Sequence, residues 1–577
     1  MNRFLLSALA PVLASAIFLA ACGAGGSGGF VSTGTVNVQL ADGPGDEFQH
    51  VWVTVTSIAF HTSPDQVWSA TDATWVTFPL PAPVTIDLTT LNNGVLNTTL
   101  FAGLKLPVGS YRQIRFFFDG AEATLDASAL ATSDSNGTPL QWNDQVEYLS
   151  GTGAAVEAPL EIAYPTQGMQ LLGAFNVTVG STLSLAVDFD LEHMIVPFNH
   201  DGLTNFTMRP NLQYYDMSKV GAITGSVSPT RLCQAIGAEI TQSPSCAFNL
   251  VVKAELLLAD GSRHAVARET MVDSATGSFT LYPLATQDAN GNPIAAYDVV
   301  IRGRNMETML VTNVPVITGT APGARGTAAP TVLQATPITP TINTGEYTAQ
   351  FASALAPLTS GYAIFEQTLP VVSAVPYEIR WRNTDPFTGE FRNPIPLQGA
   401  SSMLHVASYN GGSALAFTSE APQEGQGAFT VAANEVVYYS LGQGTVMPAP
   451  TTVSTQTFTI AHTPYLANGV ASGTVNVNLS FSNISVDNNC EFVLARFATV
   501  VDTYNCSSLL STNHGFNSGT ISLTGVGAGL PGAVYYAYVR LWETGSGTTT
   551  RRIVPLAGFI DLRTQTTQTI NGSVPGA

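Results

Sequence analysis

The chain is 577 residues long, with 45% hydrophobic and only 11% charged residues, a net charge of −19, 52 glycines and 34 prolines. That length implies about three to five domains. The apolar content excludes a disordered chain, and the acidic balance excludes nucleic-acid binding, which needs basic patches.

The N-terminus comes first. Arg3 supplies a short positive region, Phe4 to Leu19 an apolar one, and the run ends on Leu19-Ala20-Ala21-Cys22 before turning to Gly and Ser. It is short for a membrane span, which needs about 20 apolar residues, and reads as a secretory signal. Its ending resembles a bacterial lipobox. The resemblance implies cleavage before Cys22, acylation of the Cys22 thiol and amine, and, with Gly23 next, retention in the outer membrane. More than one acyl chain is needed because a single chain gives only marginal membrane binding. Residues 1–21 are then signal peptide, and 22–32 the lipidated cysteine and a Gly/Ser tether. The alternatives are an ordinary signal peptidase site and an uncleaved anchor helix.

Beyond the tether, strands follow one another by alternation. In "GTVNVQL" (34–40) Val36, Val38 and Leu40 share a face; in "VWVTVTSI" Val51, Val53 and Val55 oppose Trp52, Thr54 and Thr56. "DGPGD" (42–46), "DSNG", "ADGS" and "DANGNP" are turns. Boundaries come from composition. The predicted modules are 33–218, 219–320, 342–447 and 456–577, separated by linkers at 321–341 and 448–455 where Pro, Ala and Thr accumulate. Residues 33–218 hold four basic against nineteen acidic residues, a net −15. Such a surface permits cations or basic partners. "GTVNVQL" and "GTVNVNL" (473–479) differ at one position, but their flanks do not match, so the likeness is taken as shared strand grammar.

Five cysteines are present, and setting Cys22 aside leaves Cys233, Cys246, Cys490 and Cys506. An even set in an exported chain predicts disulfides. Of three connectivities, Cys233–Cys246 and Cys490–Cys506 keep each bond inside one module. No Cys/His cluster points to zinc or redox chemistry.

Two polar constellations are candidate sites. In "VDFDLE" Asp188, Asp190 and Glu192 fall on one face at strand spacing, with Val187, Phe189 and Leu191 on the other. Same-face neighbours about 6.6–6.8 Å apart cannot all contact one calcium ion, which needs oxygens at 2.3–2.6 Å. One or two of them could join Asp42 and Asp46 of the preceding turn in a calcium site, with His193, His200 and Asp201 nearby; the competing reading is structural carboxylates. In "AVYYAYVRLW" (533–542), Tyr536, Tyr538, Arg540 and Trp542 share one face and Ala537, Val539 and Leu541 the other. The aliphatic face predicts core. The aromatic face could stack on a glycan, close a protein interface, or pack under a neighbouring module. Catalytic motifs fail on context: the G-x-S-x-G at 25–29 lies in the tether, where no nucleophile elbow forms, and Gly527, Gly529 and Gly532 lead into a strand where phosphate binding needs a helix N-terminus.

The first module resembles the bacterial domain of unknown function 4382, through "VNVQLADGPGDEFQHVWVTVTSIAFH" (36–61), "VTIDLTTLNNG" (84–94), "LPVGSYRQIRFFF" (106–118) and "LAVDFDLEHMIV" (185–196). Where that family usually carries a basic residue, this chain reads "GMQLLGAF" (168–175). The resemblance implies an exported lipoprotein and brings no catalytic residues. The second module looks like a carboxypeptidase-regulatory or transthyretin-like sandwich, through "GAITGSV" (221–227), "TGSFTLYPL" (276–284) and "YDVVIRG" (297–303). The resulting expectation is an all-β chain of several immunoglobulin-like or transthyretin-like β-sandwich modules in tandem after a lipoprotein signal, without catalysis. It would be held to the outer membrane by acyl chains and serve in binding, adhesion or scaffolding toward a glycan or protein. The alternative is an accessory subunit of a hydrolase, or an unrecognised hydrolase, acting on envelope polymers.

Overall fold

A computed structural model describes residues 31–576 apart from 44, 46, 151–153, 201, 229–249, 304–306, 324–327, 342–345, 354–360, 369–374, 386–389, 397–403, 421–429, 438–439, 442–444, 449–455, 459–469, 483, 485–487, 497–498, 511–516, 546–547 and 557. Cys22, Asp46, Asp201, Cys233 and Cys246 therefore lie outside the described residues. The described chain is strand throughout, with helix confined to single turns. None of its helices is long and apolar enough to cross a membrane.

The first module contains β1 (Thr33–Gly43), β2 (Phe48–His61), β3 (Val76–Asp87), β4 (Asn97–Pro107), β5 (Gly109–Phe118), β6 (Gln145–Leu149), β7 (Ala155–Glu161), β8 (Met169–Val177), β9 (Thr182–Asp190), β10 (Ile195–His200), β11 (Leu203–Met208) and β12 (Leu212–Asp216). One sheet runs β12-β9-β1-β4; the other runs β10-β11-β7-β6-β2-β5-β8, with β3 added to β2. The alternation read in β1 is real, since Val36, Val38 and Leu40 are fully buried. They meet Val51, Val53, Val55, Phe60, Phe116 and Phe189 in the core between the sheets. The other face of β2 is buried as well. Trp52 packs on Ala129 and Leu140, and the Thr54 hydroxyl donates to Asn143 O at 2.7 Å, because the segment between β5 and β6 folds over that face. β1 and β9 are parallel and in register from Thr35↔Thr182 to Gly43↔Asp190. Their N-terminal ends therefore share one pole of the module and their C-terminal ends the other.

The same arrangement returns in each later module. Val220–Ser226 lies between antiparallel Ser278–Ala285 and parallel Thr331–Val332. Glu346–Ser353 lies between antiparallel Glu390–Pro396 and parallel Gln456–Phe458. Ala471–Ser482 lies between antiparallel Asn517–Ala528 and parallel Thr567–Pro575. In each case a second sheet completes the sandwich. "GTVNVQL" and "GTVNVNL" occupy this opening strand in the first and last modules, and Val475, Val477 and Leu479 are as buried as Val36, Val38 and Leu40. The glycine that begins the motif is required by close approach, since a Cβ on Gly34 would lie 2.6 Å from Thr178 O. One further pairing links modules: Leu404–Ser408 runs parallel to Thr308–Pro315 and brings Thr418–Glu420 with it, so residues 404–420 extend the sheet of the second module.

Candidate functional site

At the C-terminal ends of β1 and β9 the first module meets the second and third. The sequence spacing put Asp188, Asp190 and Glu192 on one strand face, but the strand stops at Asp190. The Asp190 carboxylate accepts from His193 N at 3.4 Å and caps a helical turn, Leu191–Met194. This turn takes Glu192 out of the strand alternation and delivers its carboxylate to cations from other modules. Lys253 Nζ lies 2.6 Å from Glu192 Oε2, Arg302 Nη2 lies 2.8 Å from Glu192 Oε1, and Arg382 Nη1 reaches the same oxygen at 3.3 Å. Lys253 also lies 3.4 Å from Glu269 and 3.5 Å from Glu378. His193 bridges onward, with Nδ1 2.7 Å from Asp190 and Nε2 3.1 Å from Glu378. Arg263 closes on the other Glu378 oxygen at 2.7 Å. Beside this group Arg268 pairs with Asp188 and donates to Asp42 O at 2.6 Å.

The electrostatics follow from burial opposed by charge. Burial alone would lower Lys253, but Glu192, Glu269 and Glu378 outweigh it and hold the ammonium above its ordinary range. Burial likewise pulls His193 down, while Asp190 and Glu378 lift it well above 6.5. Burial would raise Glu378; Lys253 and His193 reverse this and keep it ionised. Burial, then neighbouring carboxylates, push Asp42, Glu255 and Glu269 well up. Glu192, His193 and Glu378 bring ligand atoms within 4.8 Å of one another, a spacing that could hold a metal ion. The cation the geometry supplies there is Lys253, with Arg302 and Arg382 on the same carboxylate. A calcium ion would have to displace ammonium and guanidinium groups that already neutralise these oxygens.

A second buried network joins the first module to the last. The aliphatic face of Val534–Gly545 is core, as expected. Its other face is covered: Tyr536, Tyr538, Arg540 and Trp542 are each at most 3% exposed. Arg540 grips Glu161, at the end of β7, through Nε at 2.9 Å and Nη2 at 2.7 Å, and holds Glu491 with Nη1 at 2.7 Å. Arg551 reaches Glu161 at 3.1 Å and Glu122 at 2.6 Å. Tyr538 donates its hydroxyl to Glu161. The guanidinium of Arg540 sits 4.9 Å over the ring of Phe198. His200 stacks on Trp542 at 3.9 Å and Tyr164 lies 5.0 Å from Tyr536. The face is a contact between two modules of one chain.

Residues 33–210 match the family model described as "Domain of unknown function (DUF4382)". The DUF4382 region thus contributes Glu122, Glu161 and Glu192 to contacts with modules outside it. No curated protein matches the chain. One solved structure that aligns is the major pilin subunit of Bacillus cereus, over 62% of this chain and 99% of that one, at 11% identity and a TM-score of 0.11; a likeness of that size carries no argument.

Cys490 and Cys506 form a disulfide. The cationic partners Lys253, Arg268, Arg302 and Arg382 were not singled out from the sequence. Their signal was available: in a chain with only 21 Lys and Arg residues, a cation inside an apolar strand run, as in "VVKAELL", "VVIRG" and "EIRWRN", is a buried charge awaiting a partner.

Proposed function

We propose that this chain is a non-catalytic scaffold of the cell envelope, anchored in the outer membrane through acylated Cys22 and holding its modules in fixed relation through buried ion pairs. The observation that carries the reading is where the charges go. In a chain poor in charge, Glu161 and Glu192 are spent on arginine and lysine partners from other modules. Buried ion pairs add little net stability over apolar packing, but they penalise misaligned docking heavily, because a displaced module leaves an unpaired buried charge. That is a device for fixing orientation, and it suits a protein that presents surfaces at set positions.

The test has two arms. A palmitate analogue fed to cells should label the wild type and not Cys22→Ala, and only the labelled form should fractionate with the outer membrane. Spin labels on the first and last modules should give a narrow distance distribution in the intact chain. An unlabelled wild type would remove the anchor, and a broad distribution would remove the scaffold.

A further inference from the structure

The pole of the first module opposite the ion cluster is where the tether enters. There, Val108 N donates to Ser32 O at 2.9 Å, Gly180 N to Thr33 O at 3.0 Å, and Thr35 N to Ser181 O at 2.8 Å. These bonds gather Val31, Val108 and Val179 around the first described residues. The three valines are 70%, 44% and 69% exposed. Scattered surface valines need no explanation, but these three cluster at one end of a sandwich.

Charge singles out the same end. Of the four basic residues in 33–218, Arg115 is fully buried and Arg209 donates to His193 O and Asn383 at the distant ion cluster. Lys105 and Arg112 are exposed, and both belong to the strands that end here; Lys105 donates to Thr35 at 2.6 Å. The segments that meet at this pole, 31–36, 104–112 and 174–183, contain no Asp or Glu, whereas Asp42, Asp188 and Asp190 cluster at the far ends of β1 and β9, about 30 Å away at strand rise. A module that is strongly acidic overall thus has an apolar, basic, acid-free end where its chain leaves toward Cys22. Eight residues, 23–30, separate Cys22 from Val31, a reach of at most about 30 Å.

We infer that this pole is a membrane-contact surface: Val31, Val108 and Val179 sit against the interfacial region of an anionic phospholipid bilayer, with Lys105 and Arg112 on its headgroups. The inference rests on the anchor proposed above, because the tether is what keeps the pole at the bilayer. It also sets direction, placing the ion cluster and the second and third modules on the side away from the lipid.

The test uses the full lipidated chain in vesicles of phosphatidylcholine and phosphatidylglycerol, with an environment-sensitive fluorescent amino acid at position 179 or, as a distal control, at position 262 in an exposed turn of the second module. Emission at 179 should shift to the blue and be quenched by brominated lipid; emission at 262 should do neither. With the Cys22→Ala chain, binding to the same vesicles should fall about fivefold for each of Lys105→Gln and Arg112→Gln, and Val31→Ser/Val108→Ser should abolish the blue shift of the probe at 179. A labelled, palmitoylated chain whose residue 179 stays in water overturns the contact surface and leaves the anchor standing. Absence of palmitate overturns the anchor, and the contact surface is then decided by vesicle binding of the same chain: a shift at 179 supports it, none overturns it.

Discussion

Replacing Glu161 by glutamine tests the docking of the first module on the last. The Glu161 carboxylate is 1% exposed and accepts from Arg540, Arg551 and Tyr538. Removing one member of a buried ion pair costs about 3–5 kcal/mol, because the partner is left charged and dry. Here Arg540 keeps Glu491 and Arg551 keeps Glu122, both within 2.7 Å, so the low end, about 3 kcal/mol, is expected. At about 2–4 °C per kcal/mol for modules of this size, calorimetry should show the undocking transition lowered by roughly 6–12 °C. Hydrogen exchange should accelerate along Val534–Gly545. The control is Glu543→Gln on the same strand, whose partner Arg552 is partly exposed and whose loss should cost at most about 1 kcal/mol. Burial alone would raise the Glu161 pKa, but Arg540 and Arg551 outweigh it and hold it below the ordinary range. Its contribution is therefore complete above about pH 4.3 and lost as pH falls through the lower folded value, so wild type and variant should converge in acid. An effect of Glu161→Gln no larger than that of Glu543→Gln would refute the reasoning.

Two further outcomes are expected. Burial and then Glu192 raise the Glu269 pKa well above its ordinary value, with Lys253 only partly offsetting, so folding favours the protonated acid and its benefit is lost as pH rises above about 4.3; Glu269→Gln should match the wild type in thermal unfolding at pH 5 and exceed it at pH 8, and a wild type more stable at pH 8 would mean an ionised Glu269 paired with Lys253. Cys490→Ser/Cys506→Ser opens a loop of 16 residues and should lower stability by about 3 kcal/mol in the chain-entropy model, with calorimetry of the variant then insensitive to reductant.

Much of the fold was legible because strands report burial every second residue. The faces of β1 and of Val534–Gly545 came out as the alternation required. The "GTVNV" likeness was more informative than its flanks suggested, because topology, rather than neighbouring sequence, makes the two segments equivalent: each opens its module between an antiparallel and a parallel partner. The turn at Leu191–Met194 was not legible. Only the cap made by Asp190 ends the strand, and a strand reading of "VDFDLE" has no way to register it. Nor was the destiny of Tyr538 and Arg540, since alternation says which residues share a face but never what covers it. The cover, Glu161 and Phe198, lies more than 300 residues earlier in the chain.

The parallel pairing of opening and closing strands has a mechanical consequence. In the last module, Thr474–Ser482 runs beside Thr567–Pro575 in unbroken register over nine residues. The chain enters at one end of this pair and leaves at the other. Tension between the two ends of the module pulls the strands past each other along their length, so their hydrogen bonds are loaded together in shear instead of being peeled apart singly. The last module thus meets a pull on its two ends with the whole nine-residue ladder at once.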